Sequence, residues 1–283
     1  MTSPRSLLTA HRLRPHRQLG QNFLSQPSIA EMIVARAGLS PEESVLEIGA
    51  GLGALTIPLA RIARSVMAIE RDRNLVPLLR AELLAAGIQN VTIIETDALA
   101  LDLPELARGA GRPLTVFGNL PYNISSQIVI KLIDSRRQIF RAVLMFQKEL
   151  AQRLSAGPGG RDYGRITAML TYCASVRHLA SVNANNFFPP PKVDAEVLEI
   201  SFTAPRPYPS HDEAHLFRLI TAAFGKRRKT LKNALSASGL NLPPAAAAEA
   251  LLRAGIDPTR RAETLSAEEF VNLEISLRSM APE

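Results

Sequence analysis

Asn119, followed by Leu120, Pro121 and Tyr122, offers residue types suited to chemistry at the exocyclic amine of a purine. An adenine N6 is a poor nucleophile, because its lone pair is delocalised into the ring. If an Asn side-chain carbonyl and the next main-chain carbonyl, here that of Leu120, each accept one N6 hydrogen, the nitrogen is drawn toward tetrahedral geometry. Its lone pair can then face an electrophilic methyl group. Pro121 holds such a turn to few backbone shapes, and Tyr122 supplies an aromatic face on which an unstacked base can rest. By itself, Asn-x-Pro-Tyr reads more simply as a strand that ends in a Pro turn with a buried Tyr. The surrounding elements decide between the two.

Upstream, the apolar run Val45 to Ile48 enters a turn containing Gly49, Gly51 and Gly53, and a helical pattern follows. Glycines in such a turn let the backbone approach a nucleoside closely. With Ala54 the segment also satisfies G-x-G-x-x-A, so the turn alone does not separate a nicotinamide cofactor from an adenosyl one. Glu70 closes the next apolar run, where a carboxylate can accept from ribose hydroxyls or simply be solvated. Asp97 follows a third run, Val91 to Ile94, placed to receive a cofactor adenine amine. Leu114 to Phe117 leads into the amine-positioning turn, and Ala142 to Phe146 is a fifth strand-like run. Helical patterns such as Asn74 to Ala86 and Ser126 to Ser135 alternate with these runs, which predicts an α/β fold with helices on both faces of a parallel sheet. Ligands of such sheets bind outside the carboxyl ends of the strands, where the glycine turn, Glu70, Asp97 and the Asn119 turn all fall.

With these residues in place the chain resembles the ribosomal RNA adenine N6-dimethyltransferases, and within them the small-subunit branch. The resemblance spans Gln21 to Leu24, Val45 to Thr56, Glu70, Asp97 to Leu99, Gly118 to Ser126, Gln147 to Glu149, Phe187 to Asp194 and Ala223 to Leu231. Thr96 stands where the family usually has Gly, and Ala195 where it often has Ser. The resemblance implies a class I (Rossmann-like) methyltransferase sheet, S-adenosylmethionine as cofactor, and transfer of methyl groups to N6 of two adjacent adenosines of 16S rRNA in the immature small subunit. It assigns Asn22 and Leu24 to covering the cofactor, Gly49 to its methionine part, Gly51 to backbone approach, Glu70 to its ribose, and Asp97 with Ala98 to its adenine. Asn119, counted also among the cofactor contacts, and Leu120 would bind the target amine. Tyr122 would stack on the base and Phe187 would close its other face, although core packing is the competing expectation for Phe187 or Phe188. The resemblance also implies that Ile166 to Val176 and Val197 to Phe202 form the closing antiparallel hairpin.

A methyltransferase domain over 1–204, a Pro-rich linker over 205–211 and a small all-helical domain over 212–283 are expected, since prolines at alternate positions from 205 to 209 resist helix and sheet. Helical patterns cover Asp212 to Phe224, Lys226 to Ser236, Pro244 to Ala254 and Glu268 to Arg278, with Ser266 and Glu269 forming a capping box. The net charge of +7 suits a polyanionic partner. Lys226, Arg227, Arg228, Lys229 and Lys232 would make a cationic ridge for RNA phosphates, while Phe224, Leu231 and Leu235 pack behind it. The first 20 residues, with Arg5, Arg12, Arg14 and Arg17, read as a basic arm rather than a transit peptide. The single Cys173 excludes an internal disulfide, and its apolar surroundings favour a buried inert thiol. His211 and His215 share a zinc-like spacing without the intervening Glu of H-E-x-x-H, so no metal is expected. No run approaches the roughly 18 apolar residues of a membrane span, and a cytoplasmic monomer is expected. Alternatives are dimethylation of large-subunit (23S) rRNA, a non-catalytic assembly checkpoint or RNA-binding factor on the same scaffold, and a nicotinamide dehydrogenase. The last leaves the Asn119 turn unexplained.

Overall fold

The computed structural model describes residues 2–202, 208, 210, 212–226 and 228–280. The linker positions 205–207, 209 and 211, and with them His211, lie outside the described residues, as does Arg227. The chain divides into two compact units, Met1–Ala151 with Val176–Thr203, and Gln152–Ser175 with Ala204–Glu283.

The first unit begins with helix α1 (Pro4–Ala10), whose N-cap Ser3 accepts the Ser6 amide at 3.1 Å. A two-residue strand β1 (Phe23–Leu24) and α2 (Pro27–Ala37) precede the main sheet. Strands β2 (Ser44–Ile48), β3 (Ser65–Glu70), β4 (Val91–Glu95), β5 (Leu114–Asn119) and β6 (Ile139–Gln147) alternate with α3 (Thr56–Ala60), α4 (Val76–Ala85), α5 (Leu103–Ala110) and α6 (Ser125–Asp134). The α7 helix (Lys148–Leu154) leaves β6 directly. After α8 (Arg165–Cys173) come β7 (Ser175–Val182), the two-residue β8 (Phe187–Phe188) and β9 (Ala195–Ser201). The seven-stranded sheet has the order β4-β3-β2-β5-β6-β9-β7. Neighbours from β4 to β6 are parallel, and β9 runs antiparallel to β6. Strand order reverses between β2 and β5, so a crevice opens beyond their carboxyl ends. Both strands are buried along nearly their whole length, as their continuous apolar runs require of a parallel sheet covered on both faces. Gly118 lets them approach there, since a Cβ on it would lie 2.7 Å from the Ile48 carbonyl oxygen.

The second unit contains α8 and the helices α9 (Glu213–Phe224), α10 (Leu231–Ser236), α11 (Pro244–Arg253) and α12 (Ala267–Met280). The Phe224 ring lies between Tyr163 and Phe270, at centroid distances of 6.2 and 6.1 Å. The capping box forms: the Ser266 amide donates to Glu269 at 2.8 Å, and the Glu269 amide to Ser266 Oγ at 3.2 Å.

Two elements differ from the sequence reading. Ile166 to Val176 is not a strand: its first part is α8, and the edge strand β7 begins at Ser175. The run is mostly apolar, but its Thr167, Thr171 and Ser175 fall four apart as on one face of a helix, a period that the strand reading passed over. Because α8 buries Ala168, Leu170, Tyr172 and Cys173, residues 152–175 cluster with the C-terminal helices, and the division is interleaved where a single break at 204 was expected. Lys226 and Arg228 to Thr230 are not helical either, since α10 starts at Leu231. The amides of Leu231 and Lys232 donate to the carbonyls of Arg260 and Pro258, at 2.7 and 3.3 Å, which fixes the helix start from a distant loop.

Candidate active site at the carboxyl ends of the strands

A cleft lies over the ends of β2, β3 and β5. Its lining joins the glycine turn, Glu70, Asp97, Ala98 and Asn119 to Tyr122, with Asn22 and Leu24 from the N-terminal segment. The residues expected to bind cofactor and target base are thus brought together, with one exception treated below.

The glycine turn is held in place by Glu70. Its Oε2 accepts the Gly51 amide and its Oε1 the Asp72 amide, each at 2.7 Å. Gly51 has φ of 55°, and a Cβ there would sit 3.3 Å from the Phe23 ring, so conformation and space both call for glycine. The Glu70 carboxyl is 7 % exposed, and burial raises its pKa against the lowering effect of those amides. A carboxylate offers about four acceptor sites, so these amides leave capacity for ribose hydroxyls. Asp97 caps the turn after β4, accepting the Leu99 amide at 2.9 Å through Oδ1, and its Oδ2 pairs with Arg71 at 3.0 Å. Thr96 has no positive φ, so the position needs no glycine. Glu47, Glu70 and Asp97 line the cleft with Arg71 as the one cation among its described residues, an electrostatic floor suited to a positively charged ligand.

Asn119 closes β5. Its Nδ2 donates to the main-chain carbonyl of Asn22 at 2.8 Å. A carbonyl can only accept, so this bond fixes which side-chain atom is nitrogen and leaves Oδ1 as the acceptor for a ligand amine. Asn22 thereby acts on the catalytic turn as well as lining the cleft, a role carried by its backbone and so without any residue-type signal. Pro121 accepts from Ser125 Oγ at 2.8 Å and from the Ile124 amide at 3.2 Å through its carbonyl, which anchors the turn to α6. Tyr122 is half-buried and burial raises its hydroxyl pKa.

Phe187 is the exception. It is 3 % exposed and packs in the core with Leu24, Phe117 and Met145. In the antiparallel β1–β8 pair, Leu24 opposes Phe187 and Phe23 opposes Phe188. Neighbouring strand residues point to opposite sides, so Phe188 takes the outer position. It is partly buried, with the Arg5 guanidinium 5.4 Å from its ring centroid. Phe187 therefore does not face the cleft.

The N-terminal basic arm is also not free. Leu8 of α1 is buried with Phe23, Leu52, Leu75 and Leu78, and Thr2 and Pro4 line the cleft. Gln21 Nε2 donates to Asp72 at 2.8 Å, tying this segment to the loop after β3. Of the cationic stretch, Lys226, Arg228 and Lys229 are exposed in the turn before α10, and only Lys232 lies on that helix. His215 pairs with the buried Glu274 at 3.3 Å. Among the described residues no group of three or more His, Cys, Asp or Glu could hold a metal ion, and no helix is long and apolar enough to cross a membrane.

Residues 12–279 match the model of the family described as ribosomal RNA adenine dimethylase. The chain is 50 % identical over 280 residues to ribosomal RNA small subunit methyltransferase A of Desulforapulum autotrophicum, covering 99 % of this chain and 98 % of that protein. It is 44 % identical to the protein of the same name from Magnetococcus marinus, covering 94 % and 93 %. Among solved structures it is similar to a dimethyladenosine transferase from Plasmodium falciparum, with a TM-score of 0.74 and 26 % identity over 91 % of this chain and 98 % of the other. The 23S rRNA methyltransferase ErmE gives a TM-score of 0.68, also at 26 % identity, over 91 % of this chain and 100 % of the other. With a seven-stranded, mostly parallel sheet and the Asn119 turn set in its crevice, this chain belongs to the ribosomal RNA adenine dimethylase family.

Proposed function

We propose that the protein transfers methyl groups from S-adenosylmethionine to N6 of two adjacent adenosines of 16S rRNA, giving N6,N6-dimethyladenosine during assembly of the small subunit in the cytoplasm. The observation that supports this best is the orientation of Asn119: its amide nitrogen is committed to the Asn22 carbonyl, so Oδ1 is left as an acceptor in the cleft that Leu120 also lines. Two acceptors are what a planar NH2 group needs to be bent toward tetrahedral geometry.

The residues present fit the cofactor. The floor carries three carboxyl groups, the glycine turn exposes backbone, and Gly49 leaves room toward the Asn119 main-chain oxygen, which would lie 3.6 Å from a Cβ placed there. Glu70 would hold the ribose, Asp97 with Ala98 the adenine, and Gly49 the methionine part. The cofactor, when bound, supplies a methyl carbon made electrophilic by its sulfonium. The protein's share is placement: Asn119 and Leu120 aim the amine, and Tyr122 supports the base. No strong base is required, since the amine becomes acidic only once methylated. A monomethylated amine retains one hydrogen for one acceptor, so the same turn serves the second transfer.

The relatives named for the small subunit favour that substrate over large-subunit RNA. Incubation with methyl-labelled cofactor and undermethylated small subunits, large subunits or free RNA tests it. Label should appear as dimethyladenosine in the small-subunit RNA. Label confined to large-subunit RNA would overturn the assignment, and no label in any RNA would count against catalysis itself.

A further inference from the structure

The turn that would receive the cofactor's adenine is held by a side chain that the mechanism above leaves unused. Ala98–Ala100 form a single 3-10 turn after β4. Asp97 caps it, accepting the Leu99 amide through Oδ1 and the Ala100 amide through its carbonyl, each at 2.9 Å. Asp97 and Ala98 line the cleft and Leu99 does not. A turn this short bonds few of its own carbonyls, so the rest need donors from elsewhere. The Leu99 carbonyl accepts from Lys131 Nζ at 3.0 Å.

Lys131 lies half-buried in the last turn of α6, which packs against the adenine turn. A lysine at a helix end ordinarily complements the helix dipole with its ammonium in water. This one is aimed instead at a main-chain oxygen 32 residues earlier in the chain. Leu99 is thereby fixed through both of its main-chain groups, the amide by Asp97 and the carbonyl by a charged donor. Arg71 grips Asp97 from the other side, at Oδ2, but it is exposed, so solvent screens it more than the half-buried Lys131. The start of the same helix carries a separate support: Ser125 Oγ and the Ile124 amide hold the Pro121 carbonyl of the target turn. Ser125 and Lys131 are about 9 Å apart along the helix axis, so loosening the adenine turn leaves the target turn anchored.

We propose that Lys131 is a positioning residue for the adenine subsite: its bond to the Leu99 carbonyl holds Asp97 and Ala98 in the shape that tells an amino purine from an oxo purine. Lys131 touches no cofactor atom and acts through the turn alone. An amino group at purine C6 donates to the Asp97 carboxylate, whereas an oxo group there would set one acceptor against another. That preference is only as sharp as the placement of the carboxylate. The inference rests on the proposed function, which puts the cofactor's adenine at Asp97 and Ala98.

Calorimetric binding of S-adenosylhomocysteine and S-inosylhomocysteine, which differ only at purine C6, tests the role in the native protein, Lys131→Met and Lys131→Arg. The native protein should prefer the adenosyl ligand. Lys131→Met, similar in length but unable to donate, should weaken the adenosyl ligand roughly tenfold and the inosyl ligand no more than about twofold, so the preference narrows. Lys131→Arg keeps a charged donor and should restore most of it. In turnover, Lys131→Met should raise KM for S-adenosylmethionine about tenfold and leave kcat at saturation within about twofold, because the Pro121 bonds are untouched. An unchanged preference in folded Lys131→Met, equal weakening of both ligands, or a fall in thermal stability alone would each overturn the inference and leave Lys131 a helix-end residue. Should Lys131→Met not fold, Lys131→Gln, whose donor sits nearer the backbone and falls short of the carbonyl, carries the same expectation. A native protein that binds neither ligand, or both alike, would instead refute the cofactor reading on which the inference stands.

Discussion

The cleft and the cationic stretch before α10 place polar groups in opposite ways. In the cleft, Glu70 is pinned by two amides, Asn119 by the Asn22 carbonyl and Asp97 by the Leu99 amide and Arg71, so each atom's role follows from a bond it already makes. Lys226, Arg228 and Lys229 stand exposed, with the Lys229 amide donating to the Lys226 carbonyl and no side-chain bond recorded for the three. The first arrangement is built for one geometry and is sensitive to single atoms. The second delivers charge to a region and should respond only to how many charges remain.

The sharpest break in that comparison is Asn119→Ala. Loss of one preorganised polar contact at a reacting group costs roughly 10²–10³-fold in turnover, and the remaining Leu120 carbonyl cannot bend the amine alone. Cofactor binding measured by calorimetry should survive, because the glycine turn and Glu70 are untouched. Asn119→Asp is the stricter version. It keeps an acceptor but turns a carboxylate oxygen toward the Asn22 carbonyl, so it too should lose turnover, and normal activity in it would refute the orienting bond.

A second effect, smaller than the first, concerns what the cleft costs the empty protein. A group whose folded pKa is raised stabilises the fold fully below its unfolded value and loses that contribution as pH rises through the folded value. For Glu47 the window runs from 4.5 to about 7, equivalent to roughly 3 kcal/mol at most. Thermal unfolding without cofactor should therefore show Glu47→Gln more stable than the native protein at pH 8 and equal to it near pH 4.5. A difference that stays constant across that range would mean the acid is already compensated in the empty cleft. Sites built for function commonly carry such destabilising features.

What was legible beforehand divides along the same line. The five parallel strands could be read because each is a short apolar run bounded by turn residues, and the polar residue at each carboxyl end could be read because the sheet's geometry puts ligands there. Roles carried by the main chain could not: the Asn22 carbonyl that orients Asn119 would exist whatever residue stood at 22. Phe187 and Phe188 differ by one step of a two-residue strand, and only the pairing with Leu24 and Phe23 decides which is core. The apolar run before Val176 has the composition of a strand yet folds as α8 and β7, its helix held by α9 and α12 far along the chain. The folding of α1 over Phe23 depends on Leu8 finding a pocket formed by Leu52, Leu75 and Leu78, three positions that nothing in the basic arm announces.

The smallest effect belongs to the cationic stretch and tests the comparison from its other side. Replacing Lys226, Arg228 and Lys229 together with Ala removes three charges and no bond that shapes the turn, since the Lys229 amide to Lys226 carbonyl bond at 2.9 Å is main chain. If these residues meet phosphates, the slope of log affinity against log salt should flatten by roughly two to three, nearly alike for any RNA of similar length, because phosphate contacts do not read bases. Single replacements should each give about a third of the change. An unchanged slope would show that the stretch is solvated surface. Loss confined to one RNA sequence would show a defined contact, in which case the stretch is built like the cleft and the contrast between the two regions disappears.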